Sequence, residues 1–449
     1  MRDLTVGKEG KLIFKFAIPM LIGNLFQQLY VIVDRIIIGN SHIGEEGLAA
    51  IGNAFPIIFS LIAFVIGISV GFNVVIAQYF GAKRMDKVKS AVDTINVFLI
   101  FASVIVTILG LTLSTPLYNL INVPETIIPQ TRAYTNIYFI GIIAFFGFHG
   151  ISAILRGLGD SKTPLVFMVI STIINIILDW LFIIKFQMDI QWAAIATIIA
   201  QGSVFIAAII YLNKTHKIIK FSFARFNFNM EIFKHSMRIG LPTGFQSTFV
   251  GIGMIALMAI VNPYGKDVIA AFTIAGSLDA LAAMPAMNFA SALSTFVGQN
   301  LGANKQHRVK KGLLTTLLST AIISGTVTII VFFFGENIMG AFTQDANVIK
   351  IGVEYLTIVS SFYIVFSTMF VFAGVLRGAG DTLIPMFITM FSLWIIRIPL
   401  SYILSKTELS ISGIWWGVPM AWVIGMSFTF LYYLTGRWKK KVIVKPVSY

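Results

Sequence analysis

The sequence predicts an all-α polytopic membrane protein, with twelve transmembrane helices arranged as two parallel six-helix repeats. Three observations predict it. The 449 residues are 57% hydrophobic and only 12% charged, about half the charged share of soluble globular domains. The mean hydropathy is +0.87, and long apolar runs recur from end to end, each able to span a hydrocarbon core as a helix. Finally, sequence motifs recur at a constant spacing between the two halves.

The first apolar run, 16–38, is too long for a signal-peptide core and lacks a small-residue cleavage site, so it reads as a transmembrane helix. Further spans are expected near 48–77, 91–113, 133–155, 163–184 and 192–212. A second set is expected near 238–262, 268–297, 312–334, 352–376, 383–404 and 412–434. The net charge of +14 does not point to nucleic acid, because the basic residues sit in alternate loops. Lys83, Arg84, Lys87 and Lys89 share one loop and Lys305, Arg308, Lys310 and Lys311 another. Lys214, Lys217, Lys220, Arg225, Lys234 and Arg238 lie in the longest connection, and Arg437, Lys439, Lys440, Lys441 and Lys445 end the chain. Counted by the positive-inside rule, this pattern puts both termini in the cytoplasm. There is no cysteine, so no disulfide framework or thiolate chemistry arises.

"LRGLGDSKTP" (155–164) returns as "LRGAGDTLIP" (376–385), and "AQYFGAKR" (77–84) as "GQNLGANK" (298–305). Both pairs are shifted by the same number of positions, and an even number of spans per half makes the repeat parallel. The expected division is an N-terminal six-helix lobe (1–212), a basic cytoplasmic linker (213–237) and a C-terminal six-helix lobe (238–449). Parallel repeats of this kind enclose a cavity between two bundles, the architecture of secondary transporters. Arg156, Asp160, Arg377 and Asp381 of the "LRGxGD" motifs are expected to tie structural turns.

The chemistry lies in "NIILD" (175–179), an amide and a carboxylate in an apolar span. A carboxylate there costs about 2.5–3.5 kcal/mol on insertion scales. Asp34 lies late in the first helix, Asn175 and Asp179 share a face of the fifth, and Thr197 lies early in the sixth. All fall at a similar depth in the outer half of one lobe. Two close carboxylates must share a proton or hold a cation, and an oxygen-only set suits a hard cation such as Na⁺. Leu400 stands where the repeat would put Asp179; the second half instead carries Asp279 and Arg397 within its spans.

Twelve helices in two repeats, with "LRGxGD" after the fourth and tenth spans and "Q-x-x-G-A" after the second and eighth, resemble the multidrug and toxic compound extrusion (MATE) family. The resemblance implies two lobes in a V-shaped transporter that exports amphipathic, often cationic compounds against inward Na⁺ or H⁺. Within the family, the branch typified by the DNA-damage-inducible transporters carries an acid in the first helix and Asn-x-x-x-Asp in the fifth. A threonine in the sixth and a backbone carbonyl four residues earlier complete that site, which here implies Asp34, Asn175, Asp179, Thr197 and Ala193.

Candidate cavity residues are Gln27, Asn53, Gln246, Met254, Met258, Met284 and Met287, since flexible, polarisable methionine suits varied ligands. Pro19 shares a helix with Asp34 and is the candidate bend. No cofactor is expected beyond Na⁺ or H⁺ as the coupling ion. The expected partners are small amphipathic or cationic molecules and the lipid bilayer, with a monomer in the cell membrane. The related alternative is a flippase of lipid-linked precursors or polysaccharides, against which few intramembrane basic residues speak. An enzyme is not expected, because no HExxH, GxSxG or P-loop pattern occurs and the five histidines are scattered.

Overall fold

The structure is a computed structural model that describes residues 2–120, 123, 125–215 and 227–444. Lys217, Lys220 and Arg225 of the basic connection, and Lys445, lie outside the described residues. All secondary structure among the described residues is helical, as apolar spans require when backbone polar groups must be satisfied within the segment.

The first half runs α1 (Glu9–Gly39), α2 (Gly44–Gly81), α3 (Met85–Leu120), α4 (Ile128–Ile140), α5 (Ile142–Gly157), α6 (Lys162–Asp179) and α7 (Gln191–Thr215). A π-helical turn, Trp180–Lys185, continues α6 directly after Asp179. The second half runs α8 (Met230–Val261), α9 (Lys266–Gly302), α10 (Gln306–Gly340), α11 (Ala346–Ser360), α12 (Tyr363–Gly378), α13 (Leu383–Met390), α14 (Ile398–Ser405) and α15 (Ser410–Leu434). A second π-helical turn, Phe391–Arg397, joins α13 to α14 and ends on Arg397.

Ten helical stretches are long and apolar enough to cross a membrane, and two bent pairs raise the number to twelve. The bent pairs are the difference from the expectation. The spans near 133–155 and 352–376 are each two helices, α4 with α5 at 48° and α11 with α12 at 49°. At the first bend stands Gly141, where a Cβ would lie 2.3 Å from the Ile198 side chain, so the chain turns where only glycine fits against α7. The second bend falls at Ser361 and Phe362, the corresponding place in the other repeat.

Packing repeats with the sequence. In the first half α2 lies against α3, α4 and α5, while α7 covers α4, α5 and α6. In the second half α9 lies against α10, α11 and α12, while α15 covers α11, α12 and α14. The motif turns repeat too: Lys83 and Asn304 both adopt φ of +58° in the "GAKR" and "GANK" turns.

Two compact units emerge from the contacts: Met1–Asp3 with Ile18–Gly244, and Leu4–Ala17 with Phe245–Tyr449. In the first unit Gly67 and Gly71 of α2 meet Gly240 and Gly244 of α8. A Cβ on Gly71 would sit 2.2 Å from the Ser236 carbonyl oxygen, and one on Gly67 2.3 Å from the Gly244 nitrogen. Such small-residue seams let backbones approach where lipid offers no hydrophobic driving force for association.

In the second unit the N-terminal arm is clamped by the "GQNLGANKQHR" segment. The Leu4 amide donates to Gln299 Oε1 at 2.9 Å, Arg308 donates from Nη2 to the Gly7 carbonyl at 2.7 Å, and its Nη1 pairs with Glu9 at 3.1 Å. At the equivalent place in the first unit Lys87 pairs with Glu231 at 4.0 Å.

Candidate functional site

The residues that sequence reasoning singled out in the first half are all buried: Asp34, Asn175, Asp179, Ala193 and Thr197. They come from three helices. Asp34 sits five residues before the end of α1, Asp179 is the last α-helical residue of α6, and Ala193 and Thr197 lie in the first two turns of α7. The spacing of Asn175 and Asp179 puts both on the buried stripe of α6 with Phe167, Ser171 and Thr172. Arg35 beside Asp34 points to the exposed side of α1, as neighbours on a helix must.

A hydrogen-bond chain links the set. Thr197 Oγ1 donates to the Ala193 carbonyl at 3.1 Å and accepts from Asn175 Nδ2 at 3.4 Å. Tyr30 OH lies 3.0 Å from the same Thr197 oxygen. Because the threonine hydrogen points to Ala193, Tyr30 is the donor in this arrangement. Asp34 and Asp179 face each other closely enough for each charge to act on the other.

The oxygens that remain are what define the site. Both carboxylate oxygens of Asp179, Oδ1 of Asp34 and Oδ1 of Asn175 are buried without a hydrogen-bond partner. Buried polar atoms are paired in the great majority of cases, and two ionised carboxylates placed together would repel at low dielectric. A cluster of unpartnered oxygens with no nitrogen or sulfur donor among them fits a proton or a small hard cation. Among the described residues no group of three or more His, Cys, Asp or Glu side chains could hold a metal. The oxygen set here therefore depends on an amide, a hydroxyl and a carbonyl beside its two acids.

Tyr30 was not among the candidates read from the sequence, nor were Tyr134 and Tyr138 of α4. Tyr134 acts electrostatically on both Asp34 and Asp179, and Tyr30 on Asp34. The signal available was weak: Tyr30 is one helical turn before Asp34, on the same face.

The candidate cavity residues divide. Asn53 donates to the Ala49 carbonyl of its own helix at 2.8 Å, and Gln246 donates to Thr389 Oγ1 at 2.8 Å. Both amides thus serve hydrogen bonds within their units. Met258 packs against the aromatic core of the second unit; Met254 and Met287 are exposed. Met284 and Gln27 are half-buried. Pro19 lies buried inside α1, which runs on as a helix through it.

The "LRGxGD" aspartates hold turns, but not through the arginines. Asp160 accepts from the amides of Lys162 and Thr163, both at 3.0 Å, and caps the start of α6. Asp381 accepts from Tyr432 OH at 2.6 Å. Gly159 and Gly380, with φ of +81° and +90°, take the left-handed conformation that these turns need.

Comparison with known proteins gives a consistent result. The MatE family model matches residues 19–181 and again 242–403, one copy per repeat. The chain is 33% identical over 443 residues to the "Probable multidrug resistance protein YpnP" of Bacillus subtilis (strain 168), covering 97% of each chain. It is 29% identical to the "Probable multidrug resistance protein NorM" of Thermotoga maritima, covering 97% of this chain and 94% of the relative. Among solved structures, the outward-facing conformation of a multidrug resistance MATE family transporter superposes with a TM-score of 0.91. That match has 23% identity and covers 97% and 98% of the two chains.

Proposed function

Because the chain belongs to the MatE family of multidrug transporters, and is no enzyme, we propose that it is an ion-coupled exporter of amphipathic and cationic compounds. It works by alternating access, with inward Na⁺ or H⁺ as the driving ion. The coupling site is the cluster of Asp34, Asn175, Asp179, Ala193 and Thr197, as in the DNA-damage-inducible branch of the family. The protein acts as a monomer in the cell membrane with both termini in the cytoplasm, the side on which its basic loops cluster.

One observation carries this reading: a fully buried carboxylate, Asp179, with neither oxygen hydrogen-bonded and a second buried acid facing it. Such a pair is stable only when a proton or cation neutralises it. Taking up that ion in one state and releasing it in another is what couples its flow to export. Leu400 at the repeat-equivalent position supports a role confined to one half, since a packing need would recur in both.

The test is efflux of a fluorescent cationic dye from energised membrane vesicles under separate Na⁺ and pH gradients. Wild type is expected to export under one of the two, and Asp179→Asn and Asp34→Asn under neither. Normal export by both variants would remove the coupling assignment.

A further inference from the structure

The second unit holds another group of buried polar side chains, of different chemistry. Asp279 lies on the same face of α9 as Phe272 and Ala275, one and two turns earlier, both buried in the aromatic core of that unit. Tyr355 on α11, Tyr363 at the start of α12 and Arg397 at the end of the π turn complete the group. Tyr363 and Arg397 are the groups that act on the Asp279 charge, and Tyr355 feels both Asp279 and Arg397. Around them stands an aromatic wall: Phe272 stacks on Trp415 at 5.5 Å between ring centres, and Tyr355 meets Trp415 edge-on at 5.1 Å.

The obvious reading of an acid and an arginine inside a membrane protein is a permanent ion pair. The geometry speaks against it. No nitrogen of Arg397 comes within 4.0 Å of a carboxylate oxygen of Asp279; the ion pairs among the described residues are Lys87–Glu231 and Arg308–Glu9. Asp279 Oδ1, Arg397 Nε, Tyr363 OH and Trp415 Nε1 are each buried without a hydrogen-bond partner. A buried ion pair offsets its desolvation only with close contact and its remaining hydrogen bonds satisfied. Here opposite charges, a phenol and an indole are held near one another and left unsatisfied.

We propose that Asp279, Tyr363 and Arg397 form a substrate subsite for aromatic amphoteric compounds, those carrying a carboxylate and an amine on one ring system. The ligand carboxylate takes the Arg397 guanidinium, whose planar fork matches it. The ligand ammonium takes Asp279 with Tyr363 beside it, and the ring lies against the aromatic wall. The charges of the pair explain the selectivity. A pure cation is drawn by Asp279 and repelled by Arg397, a pure anion the reverse, and a molecule with both signs gains both attractions. This rests on the export reading above and names one substrate class for it; the ion-coupling cluster takes no part.

The experiment measures equilibrium binding to the purified protein in nanodiscs. Three probes are compared: a zwitterionic fluoroquinolone, its methyl ester (cation only) and its N-acylated form (anion only). Wild type is expected to hold the parent at least about tenfold tighter than either derivative, the scale of one charged hydrogen bond. Arg397→Gln should bring the parent down to the ester while leaving the ester unchanged or tighter. Asp279→Asn should bring it down to the N-acylated form. If either single variant does not fold, the double variant Asp279→Asn with Arg397→Gln, which leaves no lone charge, decides: it should fold and lose the preference for the parent. The proposal is overturned if wild type shows no such preference, if the variants weaken all three probes alike, or if the double variant keeps the preference. Asp179→Asn should bind the parent like wild type, so failure of ion coupling and failure of this subsite give different results.

Discussion

Tyr30 and Thr197, 167 residues apart in sequence, meet with their hydroxyl oxygens 3.0 Å apart. The contact ties α1 to α7 beside the two acids and fixes where the threonine's lone pairs point. Tyr30→Phe removes this donor and nothing else, and one such bond is worth about 1 kcal/mol. The expected result is a roughly fivefold higher ion concentration for half-maximal dye export, with the maximal rate close to wild type. Ion titrations of export in vesicles measure it, and an unchanged ion dependence would count against Tyr30.

Asp179→Leu places in the first repeat the residue that Leu400 places in the second. It removes two buried, unpartnered oxygens, so a gain in stability is expected together with complete loss of gradient-driven export. Thermal unfolding in detergent should show a melting temperature equal to or a few degrees above wild type without added Na⁺, at pH 7. A large fall would mean that the acid holds the fold together instead.

Gly71→Leu tests the seam between α2 and α8. Even a Cβ at this position would come within 2.2 Å of the Ser236 carbonyl oxygen, and backbone cannot yield as a flexible side chain does. A loss of about 3 kcal/mol or more is expected, seen as poor yield of monodisperse protein. Gly52→Leu, whose Cβ has open space, is the matching control and should purify normally.

Arg308→Gln breaks the Glu9 ion pair and the bond to the Gly7 carbonyl together. The arm from Leu4 to Glu9 then keeps only its contacts to Gln299, Asn300 and Lys305. Hydrogen exchange of its amides should quicken about five- to tenfold, the effect of roughly 1–1.5 kcal/mol in local opening. Exchange in α9 should stay the same.

How much of this was legible in the sequence depends on how sharply a residue differs from its surroundings. Asp34, Asn175 and Asp179 stood out because charge and amide are costly among apolar neighbours, and the parallel repeat was visible in motifs at one offset. Tyr30, Tyr134 and Tyr138 did not, since a tyrosine in an apolar helix has many ordinary uses. Asn53 and Gln246 show the opposite limit: their amides look like ligands in sequence, and only coordinates reveal that Ala49 and Thr389 occupy them. The bends near Gly141 and Ser361 interrupt apolar runs without changing their composition, so hydropathy reads through them. Contact of the Leu4–Ala17 segment with the second unit is a matter of topology that no local pattern encodes.

The two π turns carry a consequence of their own. A π turn winds one more residue into a helix than an α turn does, and here one such surplus residue lies directly after Asp179 and another ends on Arg397. Deleting a single residue within either turn would rewind it as α-helix and swing everything beyond it by about 100°, the angular step of one residue. The direction in which each buried charge faces is therefore set by chain length as much as by residue identity. An insertion or deletion of one position can re-aim a site that no substitution would reach.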